Sequence, residues 1–309
     1  MLTKQNKQYS QGERSGGGSG GRSAFPIVAL LVGATIWGLL WYPYRLLEQA
    51  GISGPAATVI TYLVALLPGL AVFRHKLRTV RILDTETWLL VGIGLSAGWA
   101  NLAYVLGVLH GEIMRVMLLF YLSPLWTVMF ARFLLGEVLS VHGYLVIVFS
   151  LGGAIIMLWQ PEGSLLPSSY ADWMGMSAGF MFALANVLSR KDQYHDVQLK
   201  SVAVWVGVAL VASGYSLLLP DLPVSLDVST YTLLLLLLVG LTVFALSLVV
   251  QYGLTHTPAN QAIVIMLFEL VVAAIAAYFL TDEAMTLREW AGGAMIVSAS
   301  LFSARMNRE

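Results

Sequence analysis

From Val228 to Phe268 the chain carries no Asp, Glu, Lys or Arg. That run constrains the fold more than any other feature. About 20 apolar residues span the hydrocarbon of a bilayer, so the run is too long for one crossing and long enough for two. His256, Pro258 and Asn260 punctuate it and mark where the chain turns back. The same ruler gives ten candidate helices, at 26–47, 55–73, 87–109, 112–134, 141–159, 170–190, 200–219, 230–254, 260–280 and 288–304. The composition agrees: 58% of residues are hydrophobic and 11% charged, where a soluble domain carries about a quarter charged. The solvent of this chain is lipid.

Residues 1–25 are of another kind, polar and with SGGGSGG at Ser15 to Gly21. Such a stretch cannot bury a core, and a flexible tail is expected. The apolar segment after it is too long for a signal peptide.

Lys and Arg give the orientation. With ten helices and the N-terminus cytoplasmic, all of the 17 except Arg45, Arg115 and Arg288 fall on the cytoplasmic side. An odd number of helices would destroy that bias. Both termini are therefore expected in the cytoplasm, and a bacterial inner membrane is the expected location.

The chain also repeats itself. A shift of 146 positions sets Gly107 on Gly253 and His110 on His256. It also sets Ala131 on Ala277, Phe133 on Phe279, Leu134 on Leu280 and Glu137 on Glu283. A long internal repeat in an apolar chain points to a transporter of two related halves. We expect an all-α membrane protein with five-helix repeats at 26–160 and 170–305. Because five is odd, the second repeat inserts upside down. Trp37 to Arg45 and Phe182 to Arg190 extend the likeness loosely to the first helix of each half.

The segments TIWG (Thr35 to Gly38), YLSPLW (Tyr121 to Trp126) and the LLGE and LTDE ends at Glu137 and Glu283 resemble the drug/metabolite transporter superfamily, in its ten-helix EamA-type branch. The resemblance covers about 26–304. It implies export of small metabolites, amino acids among them, through a central cavity between the halves, commonly driven by a proton or other cation gradient. One departure concerns the second half, which reads Glu269-Leu270 where such proteins often read Glu-Pro. A weaker helix break is expected there.

Glu269 is the sharpest functional candidate. A mid-membrane carboxylate costs roughly 2.5–3.5 kcal/mol on insertion scales, so it must face a cavity or a partner. There it can carry a coupling proton or contact a substrate amine; it can also simply bond a neighbouring helix. Arg115, near the start of the fourth helix, is either a cation at the cavity mouth or a snorkelling side chain. Pro124 lies within the fourth span, where it should kink the helix and can free carbonyls for substrate or for rocking. Trp37, Trp41, Trp99, Tyr104 and Tyr121 can line an apolar pocket, or belong to the core and interfacial belts. Asn101, Asn186 and Gln251 can hydrogen-bond substrate or join helices at about 1 kcal/mol each.

Other classes fit poorly. Gly92, Gly94 and Ala97 match a dinucleotide fingerprint, and GLSAG at Gly94 to Gly98 a nucleophile elbow, but both sit inside an apolar helix without the strand each motif needs. Without cysteine or paired histidine spacing, neither a metal site nor a cofactor is expected. No basic patch with interleaved aromatics suggests nucleic acid. An intramembrane hydrolase would need a nucleophile with a base, or paired aspartates, at one depth; it is the remote alternative to a transporter, and no enzyme activity is expected. Among transporters, amino-acid export by alternating access is the first reading. A multidrug-type exporter of cationic or lipophilic compounds, with Glu269 as counter-charge, is the second.

Overall fold

A computed structural model describes residues 24–78, 86–111, 113–158, 167–218, 229–280 and 286–305. Their regular structure is entirely helical. The first half contains α1 (Phe25–Gln49), α2 (Gly54–Val72), a short α3 (Arg74–Leu77) and α4 (Thr87–His110). It continues with α5 (Ile113–Phe120), α6 (Ser123–Phe130), a π-helical turn at Ala131–Leu135, and α7 (Val141–Leu158). The second half contains α8 (Tyr170–Lys191), α9 (Val197–Leu218), α10 (Thr230–His256), α11 (Ala259–Met266), α12 (Phe268–Leu280) and α13 (Leu287–Arg305). Six stretches are long and apolar enough to cross a membrane: α1, α2, Thr87–Val108, α9, α10 and Ala259–Leu280. Residues 1–23, the expected tail, and Glu283 lie outside the described residues.

The ends of these helices follow from local chemistry. Ser169 caps α8 with its side chain accepting from the Asp172 N–H, and the Asp172 carboxylate accepts from the Ser169 N–H in return. His110 closes α4 by pairing Nδ1 with the Leu106 carbonyl at 2.9 Å, and His256 closes α10 on Tyr252 O at 2.8 Å. These are the two histidines related by the 146-residue shift, and each turns back on the carbonyl four residues before it in the last turn of its helix.

Two breaks shape the middle of the molecule. The expected kink at Pro124 is replaced by a full interruption at Tyr121 and Leu122. Pro124 then stands in the first turn of α6, where its missing N–H has no helical partner to lose. Its counterpart in the second half falls at Leu267, between α11 and α12, and is one residue long. The chain breaks there without a proline: Leu267 N–H still reaches Ile263 O, while Leu270 N–H closes a tighter turn onto Leu267 O.

Packing crosses between the halves rather than within them. α4 lies against α8 and α9; in the same way, α10 lies against α1 and α2. α5 and α6 lean on α8, as α12 leans on α1, and α7 pairs with α13. Small residues permit the closest crossings. A Cβ on Gly207 would lie 2.0 Å from Gly94 O, and one on Gly98 would lie 2.6 Å from Gly207 O. At the related crossing, a Cβ on Gly240 would lie 2.9 Å from Thr61 O. Outward faces stay apolar, as Leu233, Leu237 and Leu241 on α10 and Leu145 and Val148 on α7 show. That is the pattern of a surface in contact with lipid.

Candidate functional site

The break at Leu267 decides where Glu269 points. It places the carboxyl in the first turn of α12, the positive end of that helix's dipole, instead of midway along an unbroken rod. The break at Tyr121 and Leu122 does the corresponding work across the cavity, and the Tyr121 side chain lines the same crevice as Glu269. Gly38 lets α1 approach so closely that a Cβ there would stand 2.7 Å from Glu269 O. α5, α6, α8, α11 and α12 thus enclose a crevice lined by Phe120, Tyr121, Ser123, Phe182, Ile263 and Met266, with Glu269 half-buried at its wall.

Aromatic residues surround it. Phe120 meets Tyr104, Tyr121 and Phe182, each with ring centroids 5.3 Å apart. Trp41, Trp99, Tyr104 and Met174 belong to the same cluster. Trp99 donates from Nε1 to Ser177 Oγ at 3.2 Å, which fixes one indole edge on α8. The crevice is narrow and has no room for a water-sized sphere. Admission of a substrate requires side chains such as Phe120, Phe182 or Met266 to move.

The other expected residues divide. Trp37 packs in the neighbouring core, one turn from Trp41. Asn101 is engaged elsewhere, accepting from Tyr62 OH at 2.9 Å and donating to Ala97 O at 2.9 Å, so it ties α4 to α2. Asn186 and Gln251 are buried on α8 and α10, and each has a polar atom without a partner among the described residues. Pro124 adjoins the cavity residue Ser123. The Arg115 side chain lies outside the described residues, although its backbone belongs to α5.

One end of the molecule is closed by a polar network. Arg190, at the C-terminus of α8, donates from Nη1 to Thr255 O at 2.8 Å and stands 3.9 Å from the Glu137 carboxylate. Burial pushes the Glu137 carboxyl up from the ordinary carboxylate range, while Arg190 and the Ala259 N–H oppose that shift. Lys200 is fully buried and donates to Ser189 O at 2.9 Å, to Thr255 Oγ1 at 3.1 Å and to Asp192 O. Lys76 pairs with Asp196 beside it. In the sequence Lys200 reads as a loop charge before a helix starting at 200. The helix starts three residues earlier, at Val197, and carries the lysine inside.

Comparison with known proteins gives the same architecture a family. The model of the EamA-like transporter family matches twice, over residues 24–159 and 169–305. The two matches are offset by nearly the shift of the internal repeat. An uncharacterized transporter of Archaeoglobus fulgidus is 25% identical over 249 residues, covering 80% of this chain and 86% of its own. A solved structure described only as a crystal structure of a protein superposes with a TM-score of 0.69 at 17% identity. It covers 91% of this chain and 99% of its own length, a likeness of fold. The twice-matched family model, the two interleaved helical halves and the apolar outer surface lead to one conclusion: the chain is an integral membrane protein of the EamA-like transporter family, within the drug/metabolite transporter superfamily.

Proposed function

We propose that this protein is a secondary active transporter that exports small organic metabolites, amino acids first among them, by alternating access through the crevice between its repeats. The observation that carries the reading is the placement of Glu269 and Tyr121. They come from the fourth and ninth of the ten segments, each at a helix break, and meet in an aromatic cluster near the middle of the molecule. A carboxyl so placed can accept and release a proton. Catalysis has no comparable support.

The proposed frame is ten crossings in two inverted five-helix repeats, 26–160 and 170–305, with both termini in the cytoplasm of a bacterial cell. Contacts at the helix ends support the alternation. Glu137, Arg190, Lys200 and Thr255 meet at one end. His110 and Tyr170 meet at the other, 5.9 Å between ring centroids. On this topology the polar network closes the cytoplasmic side.

Counterflow in proteoliposomes tests the reading, with labelled neutral amino acids and labelled organic cations as separate arms. Exchange of amino acids supports it. Exchange of cations alone favours the second reading, an exporter of cationic or lipophilic compounds, for which a carboxyl beside Tyr121 and the aromatic cluster of Trp41, Trp99 and Tyr104 is a suitable counter-charge. Exchange of neither removes both.

A further inference from the structure

Two buried amides stand between the Glu269 crevice and the Arg190 network. Asn186 follows the crevice residue Phe182 by four positions on α8, so it shares that residue's face one turn further on. The next turn of the same face brings Arg190. Asn260 precedes the crevice residue Ile263 by three positions on α11 and follows Ala259, the first residue of that helix. α8 and α11 run in opposite directions here. Phe182 lines the crevice with Ile263 and packs against that residue's cluster, and Val187 shares a buried cluster with Ala259 and Ala131. Asn186 and Asn260 therefore occupy the same level on facing helices.

Both side chains are more than nine-tenths buried. Asn186 has an unpartnered donor, Nδ2, and Asn260 an unpartnered acceptor, Oδ1, among the described residues. Buried amides left in that condition are unfavourable unless something else satisfies them. They are complementary in kind but do not bond each other. A ligand that satisfies both must offer an acceptor to Asn186 and a donor to Asn260. It must also be neutral overall, because two amide dipoles offer no counter-charge to a net ion.

We propose that Asn186 and Asn260 form a polar subsite, one helical turn beyond the Glu269 crevice, that takes the head group of a free amino acid as its zwitterion. The carboxylate accepts from Asn186 Nδ2, and the ammonium donates to Asn260 Oδ1. The side chain of the ligand remains in the aromatic crevice. The subsite deepens the transport reading given above, and it accounts for a preference for zwitterions over simple amines, which Glu269 alone would not produce.

The test is ligand-induced thermal stabilisation of the purified full-length protein. Leucine and phenylalanine are each compared with the matching amine and the matching deaminated acid. The zwitterions are expected to stabilise, with half-maximal concentrations at least about tenfold below those of either relative. Asn186→Leu and Asn260→Leu should each raise the half-maximal concentration for the zwitterion by about tenfold or more, with no fall in the melting temperature of the free protein. Asn186→Thr and Asn260→Thr repeat the measurement if a leucine variant does not fold. Amines that act as well as zwitterions, variants that respond like the parent, or no response to either amino acid overturn the proposal. Counterflow of the same amino acids separates the two readings. Stabilisation that depends on the asparagines without exchange removes transport but keeps the subsite. Exchange that is indifferent to them does the reverse.

Discussion

Glu269 is tolerable inside a bundle of apolar helices because three things act on it at once. The polar Tyr121 side chain shares its crevice, its place in the first turn of α12 sets it at the positive end of that helix's dipole, and the crevice keeps it from lipid. If it carries the coupling proton, Glu269→Gln should abolish accumulation driven by a proton gradient and leave counterflow within about threefold of wild type, because exchange involves no net proton movement. Parallel gradient-driven and counterflow assays in proteoliposomes check this. Loss of both would assign Glu269 to substrate recognition instead. Lys200 makes the opposite demand. Its ammonium satisfies two main-chain carbonyls and the Thr255 hydroxyl, so Lys200→Met should leave buried acceptors unpaired and cost about 1–3 kcal/mol. Thermal denaturation in detergent would register that as a lowered midpoint. The two residues also differ in how visible they are in a sequence. A lone acid within an apolar run stands out by its cost. A lysine beside a charged loop looks like an ordinary cytoplasmic charge, and only a helix start at Val197 shows that it is enclosed.

At the scale of helices, the positions of the segments were legible because lipid imposes both length and apolarity. Where a segment breaks was less so. Pro124 suggested a mid-helix kink, yet the same residue serves equally well in a helix's first turn, and hydropathy does not distinguish the two. The break is fixed by what lies across from it. Pro124 cannot donate to Phe120 O, and Gly179 brings α8 so near that a Cβ would lie 2.4 Å from that carbonyl. Gly179→Val should therefore separate α8 from α5 and greatly reduce recovery of folded protein on size-exclusion chromatography. Pro124→Ala, which removes no contact at that crossing, should be recovered normally. Gly94 and Gly98, four positions apart within an apolar span, present a small-residue face of the kind that lets helices pack closely. The partner of that face on α9 is not legible in this way, because Gly207 stands alone in the sequence and becomes a crossing point only where the backbone of α4 reaches it. Gly207→Ala is the sharper test: a Cβ 2.0 Å from Gly94 O has no flexible neighbour to displace, and a variant recovered in good yield would show that α4 and α9 do not cross as described.

For the whole molecule, the repeat in the sequence suggests bundles 1–5 and 6–10 rocking against one another, but the contacts describe different units. α1 from the first half packs with α10 and α12 from the second, α4, α5 and α6 gather on α8 with α4 also on α9, and α2 lies between the two groups, against both α9 and α10. Each half lends its third and fourth segments to the other. A sequence repeat reveals that two units are related and says nothing about which helices of one lie against the other. That is settled by close approaches such as Gly207 on Gly94. If the interleaved groups move as bodies, a covalent bond inside one of them should be harmless even though it joins the two halves of the sequence. Gly33 on α1 and Val250 on α10 provide such a bond. A Cβ built on Gly33 lies 3.8 Å from the Val250 Cβ, at the centre of the range for disulfides. The native chain has no cysteine to interfere. In Gly33→Cys/Val250→Cys, oxidation should leave counterflow within about twofold of the reduced protein. Rocking of residues 26–160 against 170–305 instead requires α1 and α10 to separate, and the oxidised protein would then be inactive until dithiothreitol restored it. The comparison is internal to one preparation, so an effect of the substitutions themselves appears in both states and cancels.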